Sequence, residues 1–379
     1  MPLAKWYDRF RSQAFSTGAA QAVSIIIPAR DAADTLSDTL ESLLEQTFTS
    51  WEAIVVDDGS SDGTAALAEA FATRDSRIRA VSQPATSVGA ARNRGIAMTS
   101  YDWLLFLDAD DWLLPSYLQH MTAAIQADPR VDVVHCGWSR VAPGGEIGRA
   151  AFAPERSDPF ILFTRYCAIA VPCACVVRRE VVEAVGCFDI ANRTARDWDL
   201  WQRIARGGSR FGAIREVLAR YRMRPDSASM SGSRILADGL EMIELGHSAD
   251  PRVPHARAEY AKGAPRDQVS SARLYFVCWA AGLVLGGGDD ARHLLNEIRD
   301  DIDPQLDPDI VAAILYEATL LPTCRVPEQW GELWPVVEEK AGEFLTSLEE
   351  QAGAPMLARQ AGATLVTLIA GAIAESLPH

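Results

Sequence analysis

Residues 103–115 read WLLFLDADDWLLP. Five apolar residues, Trp103 to Leu107, run straight into three aspartates, Asp108, Asp110 and Asp111. An unbroken apolar run of this kind fits a strand buried on both faces. A bare carboxylate is costly to bury, so the aspartates should stand where the strand leaves the core. Earlier stretches share the same first half. AVSIIIPAR (22–30) is a β-branched run ended by a proline, WEAIVVDDGS (51–60) is a second buried strand with a turn at its end, and IRAVSQ (78–83) is a shorter third. TLSDTLESLLEQ (35–46), TAALAEAFATRD (64–75) and VGAARNRGIAMT (88–99) lie between them with helical spacing. The alternation predicts an α/β unit with a mainly parallel sheet flanked by helices. In such sheets ligands bind outside the carboxyl ends of the strands. Pro28-Ala29-Arg30-Asp31, Asp57-Asp58-Gly59-Ser60 and Asp108-Ala109-Asp110-Asp111 all fall there.

The pattern loosens after about residue 130. VDVVHCGWSRV (131–141) still reads as a strand, residues 174–189 mix strand and helix, and VLARYRMR (217–224) is a further strand. RDWDLWQRIARGG (196–208) is a helix with apolar Trp198, Leu200, Trp201 and Ile204, stopped by two glycines. From about 235 helical patterns dominate, cut by Pro251, Pro254, Pro265, Pro304 and Pro308. The predicted organisation is an N-terminal helical or flexible segment over 1–21, an α/β domain over 22–234 and an α-helical C-terminal region over 235–379.

The 379 residues carry a formal net charge of -15, with 48% hydrophobic and 23% charged residues. That composition is ordinary for a globular protein, and the acidic balance argues against nucleic acid as a partner. Seven cysteines are scattered without a CxxC pair, which suits reduced thiols and a cytoplasmic setting better than a zinc site or a disulfide framework. Trp6, Phe10 and Phe15 among Lys5, Arg9 and Arg11 leave room for peripheral contact with a membrane surface, although a helix packed on the body is the plainer reading. The apolar runs at 274–288 and 363–374 fall short of the roughly 20 residues of a spanning helix. Core helices are expected there, and no transmembrane span.

Asp108 and Asp110, one residue apart and leaving a strand, suit a hard divalent cation that also binds phosphate oxygens. The plainer reading makes them loop aspartates that cap the next helix. Asp58, at the end of the second strand, can accept a hydrogen bond from a nucleobase N–H, and Asp62 or Thr64 can cap the helix that follows. Rival nucleotide folds fail on the same residues. The dinucleotide GxGxxG position holds PARDAA, and no GxxxxGK[ST] occurs. An aspartyl-phosphate phosphatase would carry its DxD after the first strand of the domain, not the fourth.

VSIIIPARDAADTLSDTLESLLEQTFTSWEAIVVDDGSSDGT followed by GAARNRGIAMTSYDWLLFLDADD resembles the family 2 glycosyltransferases of the GT-A fold, over roughly residues 22–230. The resemblance implies transfer of a hexosyl or N-acetylhexosaminyl group from a nucleotide diphosphate sugar, usually with inversion. A divalent ion, Mn2+ or Mg2+, would hold the diphosphate. The acceptor would be a saccharide, a lipid-linked or a protein hydroxyl, as in polysaccharide biosynthesis.

By that resemblance Pro28 and Ala29 line the nucleoside pocket, and Arg30 stands where an aromatic residue often faces the base. Asp58 accepts the uracil N–H, which favours a UDP-sugar. Arg92 and Asn93 face the donor, Asp108 lies near the ribose and sugar, and Asp110 is the main metal ligand with Asp108 beside it. Asp197 matches the general base, with Arg196 in place of the family's glutamate and Asp199 as fallback. A cation at 196 should favour ionised Asp197. YRMRPDSAS (221–229) resembles a segment with histidine at the position of Arg224. Arginine cannot ligate a metal, so Arg224 and Arg222 are expected on the diphosphate. The alternative is a nucleotide-sugar-binding module without turnover, and a third reading makes the helical region a partner scaffold. Residues 235–379 carry no DxD, phosphate loop or metal-spaced histidines, so no chemistry is expected of them. They would cover the sheet, shape the acceptor side or pair subunits into a homo-oligomer.

Overall fold

The computed structural model describes residues 21–154, 158–190, 196–225, 227, 230–298 and 306–375. The N-terminal segment read over 1–21, apart from its last residue, lies outside them. Strand β1 (Val23–Ala29) is buried along its whole length. It lies between β2 (Trp51–Asp57) and β4 (Trp103–Phe106), parallel to both, and β3 (Ile78–Ser82) pairs parallel with the far side of β2. The register sets Ala29 opposite Asp57 and Ile26 opposite Phe106. Residues 28–31, 57–60 and 108–111 therefore leave the sheet at one edge, as the strand-end rule requires.

The expected α/β class holds. Through Phe106 the sheet is parallel; beyond it residues 112–222 add a half in which antiparallel pairs dominate. β8 (Cys175–Arg178) runs antiparallel to β4 and to β6 (Val133–Val141), and β7 (Ile147–Ala151) folds back on β6. β9 (Phe211–Arg222) runs parallel to β6 and carries β5 (Trp112–Leu113) antiparallel on its other side. The order is β3-β2-β1-β4-β8-β6-β9-β5.

Helices α1 (Leu36–Leu44), α2 (Thr64–Arg74) and α3 (Val88–Met98) connect the first four strands. α3 is capped by Ser87, whose hydroxyl accepts from the Ala90 N–H at 3.3 Å. It lies so close to β1 that a Cβ at Gly95 would collide with Ile26. α4 (Tyr117–Ala127), α5 (Pro159–Phe163) and α6 (Arg179–Ala184) follow, then α7 (Arg196–Arg206). α7 ends at Gly207 and Gly208, the latter in the left-handed region at φ +87°, where glycine carries no steric penalty.

The helical region comprises α8 (Gly232–Gly246), α9 (Val269–Gly286), α10 (Pro308–Leu320), α11 (Trp330–Ala352) and α12 (Leu357–Glu375). The expected division at 234/235 falls in the first turn of α8. Met242, Ile243, Val253 and Tyr260 share an apolar cluster with Trp198, Trp201 and Ile204 of α7. Leu274, Val277, Leu315, Phe344, Leu365 and Ile369 belong to a second core further along. The runs at 274–288 and 363–374 lie in core helices, as expected, but the length argument against a span does not hold. The helices spanning Arg266–Gly286 and Leu357–Ala374, 21 and 18 residues, are long and apolar enough by length and composition to cross a membrane. The first span adds the 3-10 turn Arg266–Gln268 to α9 and so starts eight residues before the apolar run.

Candidate active site

A cleft of about 770 Å³ opens beyond the ends of β1 and β2, lined by Pro28, Ala29, Arg30, Asp58, Thr86, Ser87, Val88, Ile190, Arg196, Arg234 and Asp238. Backbone contacts between two turns set its first wall. The Asp58 N–H donates to the Ala29 carbonyl at 2.8 Å. Asp31 Oδ1 accepts from the Ser61 N–H at 2.8 Å, Asp62 Oδ2 from the Ala33 N–H at 3.0 Å, and Thr64 Oγ1 from the Ala32 N–H at 2.7 Å. Asp62 Oδ1 also accepts from the Thr64 N–H at 2.9 Å; the N-cap position itself is Gly63, with no side-chain cap, so neither Asp62 nor Thr64 caps α2 as expected. Gly59 turns the chain at φ +75° against Ala85, where any side chain would clash.

Asp58 is buried. Its Oδ1 accepts from Gln83 Nε2 at 2.6 Å, the Thr86 N–H at 3.0 Å and Thr86 Oγ1 at 2.7 Å. Those three donors fix the carboxylate plane and spare Oδ2, on a residue that faces the cleft. Such an acceptor suits an N–H of a planar base. Arg30, with its side chain 55% exposed, stands at the same end.

The three aspartates of the opening stretch divide their work. Asp111 is fully buried and ties β9 to the loop, with Oδ1 accepting from the Arg222 N–H at 3.0 Å and Cys173 Sγ 3.7 Å from Oδ2. Burial, then the charges of Asp110 and Asp108, push its carboxyl well above the usual range. Asp108 and Asp110 stay about a third open to solvent, at 32% and 28%. Burial and the charge of Asp108 push Asp110 up to about 6, against the pull of Arg224. Arg224 Nη1 stands 3.4 Å from Asp110 Oδ2. Each carboxylate faces one arginine, Arg92 at Asp108 and Arg224 at Asp110, and both keep open surface. Two open carboxylates suit a hard divalent ion whose other ligands are water and substrate phosphates. Among the described residues no cluster of three or more His, Cys, Asp or Glu could complete a site alone.

Asp197 lies in the first turn of α7, its side chain 24% exposed. Burial holds its carboxyl above the ordinary value; Arg92 opposes this, Asp108 adds to it, and Arg196 opposes it more weakly. The sequence reading expected the cation at 196 to dominate. Desolvation outweighs it, so Asp197 is a stronger base than that reading implied. The guanidinium of Arg92 donates from Nη1 to Asp197 Oδ1 and from Nη2 to Asp108 Oδ1, both at 2.7 Å.

Several expected site residues occupy other positions. Arg92 is buried and does not line the cleft. Asn93 is clamped on one backbone unit, donating to the Phe188 carbonyl at 2.9 Å and accepting from the Phe188 N–H at 3.0 Å. Arg222 donates from Nε to the Asp110 carbonyl at 2.9 Å and from Nη2 to Asp38 at 2.8 Å, with its guanidinium over Trp112. Asp199 pairs with Arg203 at 2.7 Å and Arg252 at 2.8 Å in the interior, which removes it as a fallback base. Thr86, Ser87, Val88, Ile190, Arg234 and Asp238 were not foreseen. Arg234 and Asp238 come from α8, so one residue of the region over 235–379, Asp238, supplies part of the cleft wall. Asp238 Oδ2 is buried without a hydrogen-bond partner among the described residues, and burial, then Glu241, raises its carboxyl.

Residues 24–186 match the family described as glycosyl transferase family 2. That match spans the strand ends and the aspartate pair. Among curated proteins, the uncharacterized glycosyltransferase EpsJ of Bacillus subtilis (strain 168) is 30% identical over 214 residues, 54% of this chain and 62% of EpsJ. The putative teichuronic acid biosynthesis glycosyltransferase TuaG of the same organism is 29% identical over 212 residues, 55% of this chain and 81% of TuaG. The chain thus spans less than two thirds of EpsJ. The crystal structure of S. aureus TarS 1-349 shares the fold, with a TM-score of 0.51 and 16% identity, over 95% of this chain and 93% of that one. The GT-A-like class expected from the sequence therefore holds.

Proposed function

We propose that this protein is an inverting glycosyltransferase that moves a hexosyl or N-acetylhexosaminyl group from a nucleotide diphosphate sugar, preferably a UDP-sugar, to a hydroxyl of a growing saccharide. One observation carries the reading. Asp58 lines the cleft, as does Arg196 next to Asp197, while Asp197, a part-buried carboxylate of raised basicity, and Asp108, of the open carboxylate pair with Asp110, arise from distant sequence positions and meet on the guanidinium of Arg92. A binding module without turnover would need Asp58 and the carboxylate pair alone.

Asp58 accepts from the base, Pro28 and Ala29 flank the nucleoside, and Arg30 stacks on it. Asp197 takes the proton of the acceptor hydroxyl as its oxygen forms a bond to the anomeric carbon. The bond from that carbon to the diphosphate oxygen breaks on the opposite side, so the configuration inverts. Asp110, with Asp108, would hold a divalent ion, Mn2+ or Mg2+, which when bound offsets the charge of the departing diphosphate. Relatives such as TuaG, named for teichuronic acid biosynthesis, support a saccharide acceptor over a protein one.

The experiment is a panel of UDP- and GDP-sugars, assayed for release of the nucleoside diphosphate and for anomeric configuration by NMR. Release from a UDP-sugar with inversion is expected. Retention, or tight nucleotide binding with no turnover across donors and acceptors, would leave the binding-module reading standing instead.

A further inference from the structure

We propose that Arg92 is a positioning residue whose guanidinium ties Asp108, on the donor side, to Asp197, so that what binds at Asp108 is felt at Asp197. The proposal rests on the reading of Asp197 as the base. Asp108 and Asp197 lie 16 and 105 residues away from Arg92 in sequence. Each is held through Oδ1, by a separate Nη, which spares Oδ2 of Asp108 for a donor-side group and Oδ2 of Asp197 for an acceptor hydroxyl. A guanidinium is planar and permanently charged, so its two Nη atoms move as one body.

The surroundings leave this fork little freedom. The Arg92 side chain is 3% exposed, and its charge lies 5.0 Å from the ring centre of Phe188. Asn93, the next residue of α3, clamps the Phe188 backbone from both sides. Gly95 presses the same helix against Ile26. Arg92 Nε is buried without a partner among the described residues. An unsatisfied buried donor is rare, and here it accompanies a side chain stretched between two carboxylates. The tripeptide Ala91-Arg92-Asn93 thus supplies the fork and its brace, and contacts with the donor pass through Asp108.

The test uses the full chain. Calorimetry with UDP and GDP, manganese present, compares the unaltered protein, Asp197→Asn, Arg92→Lys and the double variant. Asp197→Asn is expected to change nucleotide affinity by about threefold or more while Arg92 is present. The change should fall below about 1.5-fold with lysine, whose compact ammonium does not reproduce the planar fork. Kinetics supplies a second readout: Arg92→Lys lowers kcat by about 100-fold, with donor KM within about threefold. An equal effect of Asp197→Asn in both backgrounds overturns the coupling. A nucleotide affinity that falls as far as kcat makes Arg92 a donor ligand and also overturns it. Arg92→Gln carries the same test should the lysine variant not fold, and failure of both to melt cooperatively makes Arg92 a folding residue only. An unaltered protein that binds nucleotide but turns over no donor counts against the base assignment alone, because the binding cycle needs no turnover.

Discussion

Asp110 should make stability without divalent ions fall as pH rises through the mildly acidic range. Its carboxyl sits at about 6 in the folded chain against an ordinary 3.8, because burial and Asp108 disfavour its charge. Between about pH 4 and pH 6 the native carboxyl therefore keeps a proton that the unfolded one has lost, and stability declines across that window and levels off above it. The gap is worth roughly 3 kcal/mol at most. The side chain is 28% exposed and Arg224 stands 3.4 Å away, so about 1–2 kcal/mol is the realistic share. For 379 residues that corresponds to a melting shift of about 1–3 °C. Asp110→Asn removes the charge without changing the shape. The assay is thermal melting of both proteins in chelator from pH 4 to pH 7. The variant is expected to gain on the unaltered protein as pH rises, and manganese at pH 7 should close the gap by stabilising the unaltered protein. A gap that stays constant with pH, or one that widens in favour of the unaltered protein, would refute the buried, repelled carboxylate described for Asp110.

Asn93→Ala removes both bonds to the Phe188 backbone and should cost about 1–3 kcal/mol in denaturant unfolding; a loss under about 0.5 kcal/mol would show that the brace is unimportant. Asp199→Ala leaves Arg203 buried and should cost about 3–5 kcal/mol, with normal nucleotide affinity in whatever soluble protein remains. Gly95→Ala should destabilise by about 1–3 kcal/mol through overpacking against Ile26, and an unchanged melting temperature would show that α3 can lift away from β1.

The parallel half of the fold was legible because its strands are continuous apolar runs and their polar ends name the edge where ligands bind. Cys175–Arg178 is only four residues long, and a short apolar run does not encode the direction of its neighbour, so the antiparallel half was not. Asp58 and the Asp108–Asp110 pair were readable as carboxylates at strand ends. Asp197 was readable at a helix start, but its raised basicity was not, because that comes from burial under distant elements. Arg92 and Asn93 were expected on the donor. A helix pattern shows which residues share a face, not whether that face meets the cleft or the interior, and both turned inward. Arg234 and Asp238 were missed because an Arg–Asp pair spaced by four looks like an ordinary solvated helix pair. Only the packing of α8 beside Arg196 brings them to the cleft.

The account stands most directly on a separation between binding and transfer. UDP affinity and UDP-sugar turnover should be measured side by side for the unaltered protein, Asp58→Ala and Asp197→Asn. Asp58→Ala should lose nucleotide affinity by about tenfold or more, the worth of a hydrogen bond to a charged acceptor. Asp197→Asn should shift affinity by only about three- to fivefold, less than Asp58→Ala does, and lose turnover by about 100-fold or more. Turnover that survives in Asp197→Asn, or nucleotide affinity that survives in Asp58→Ala, would contradict the division of the cleft into a base-binding end and a catalytic end.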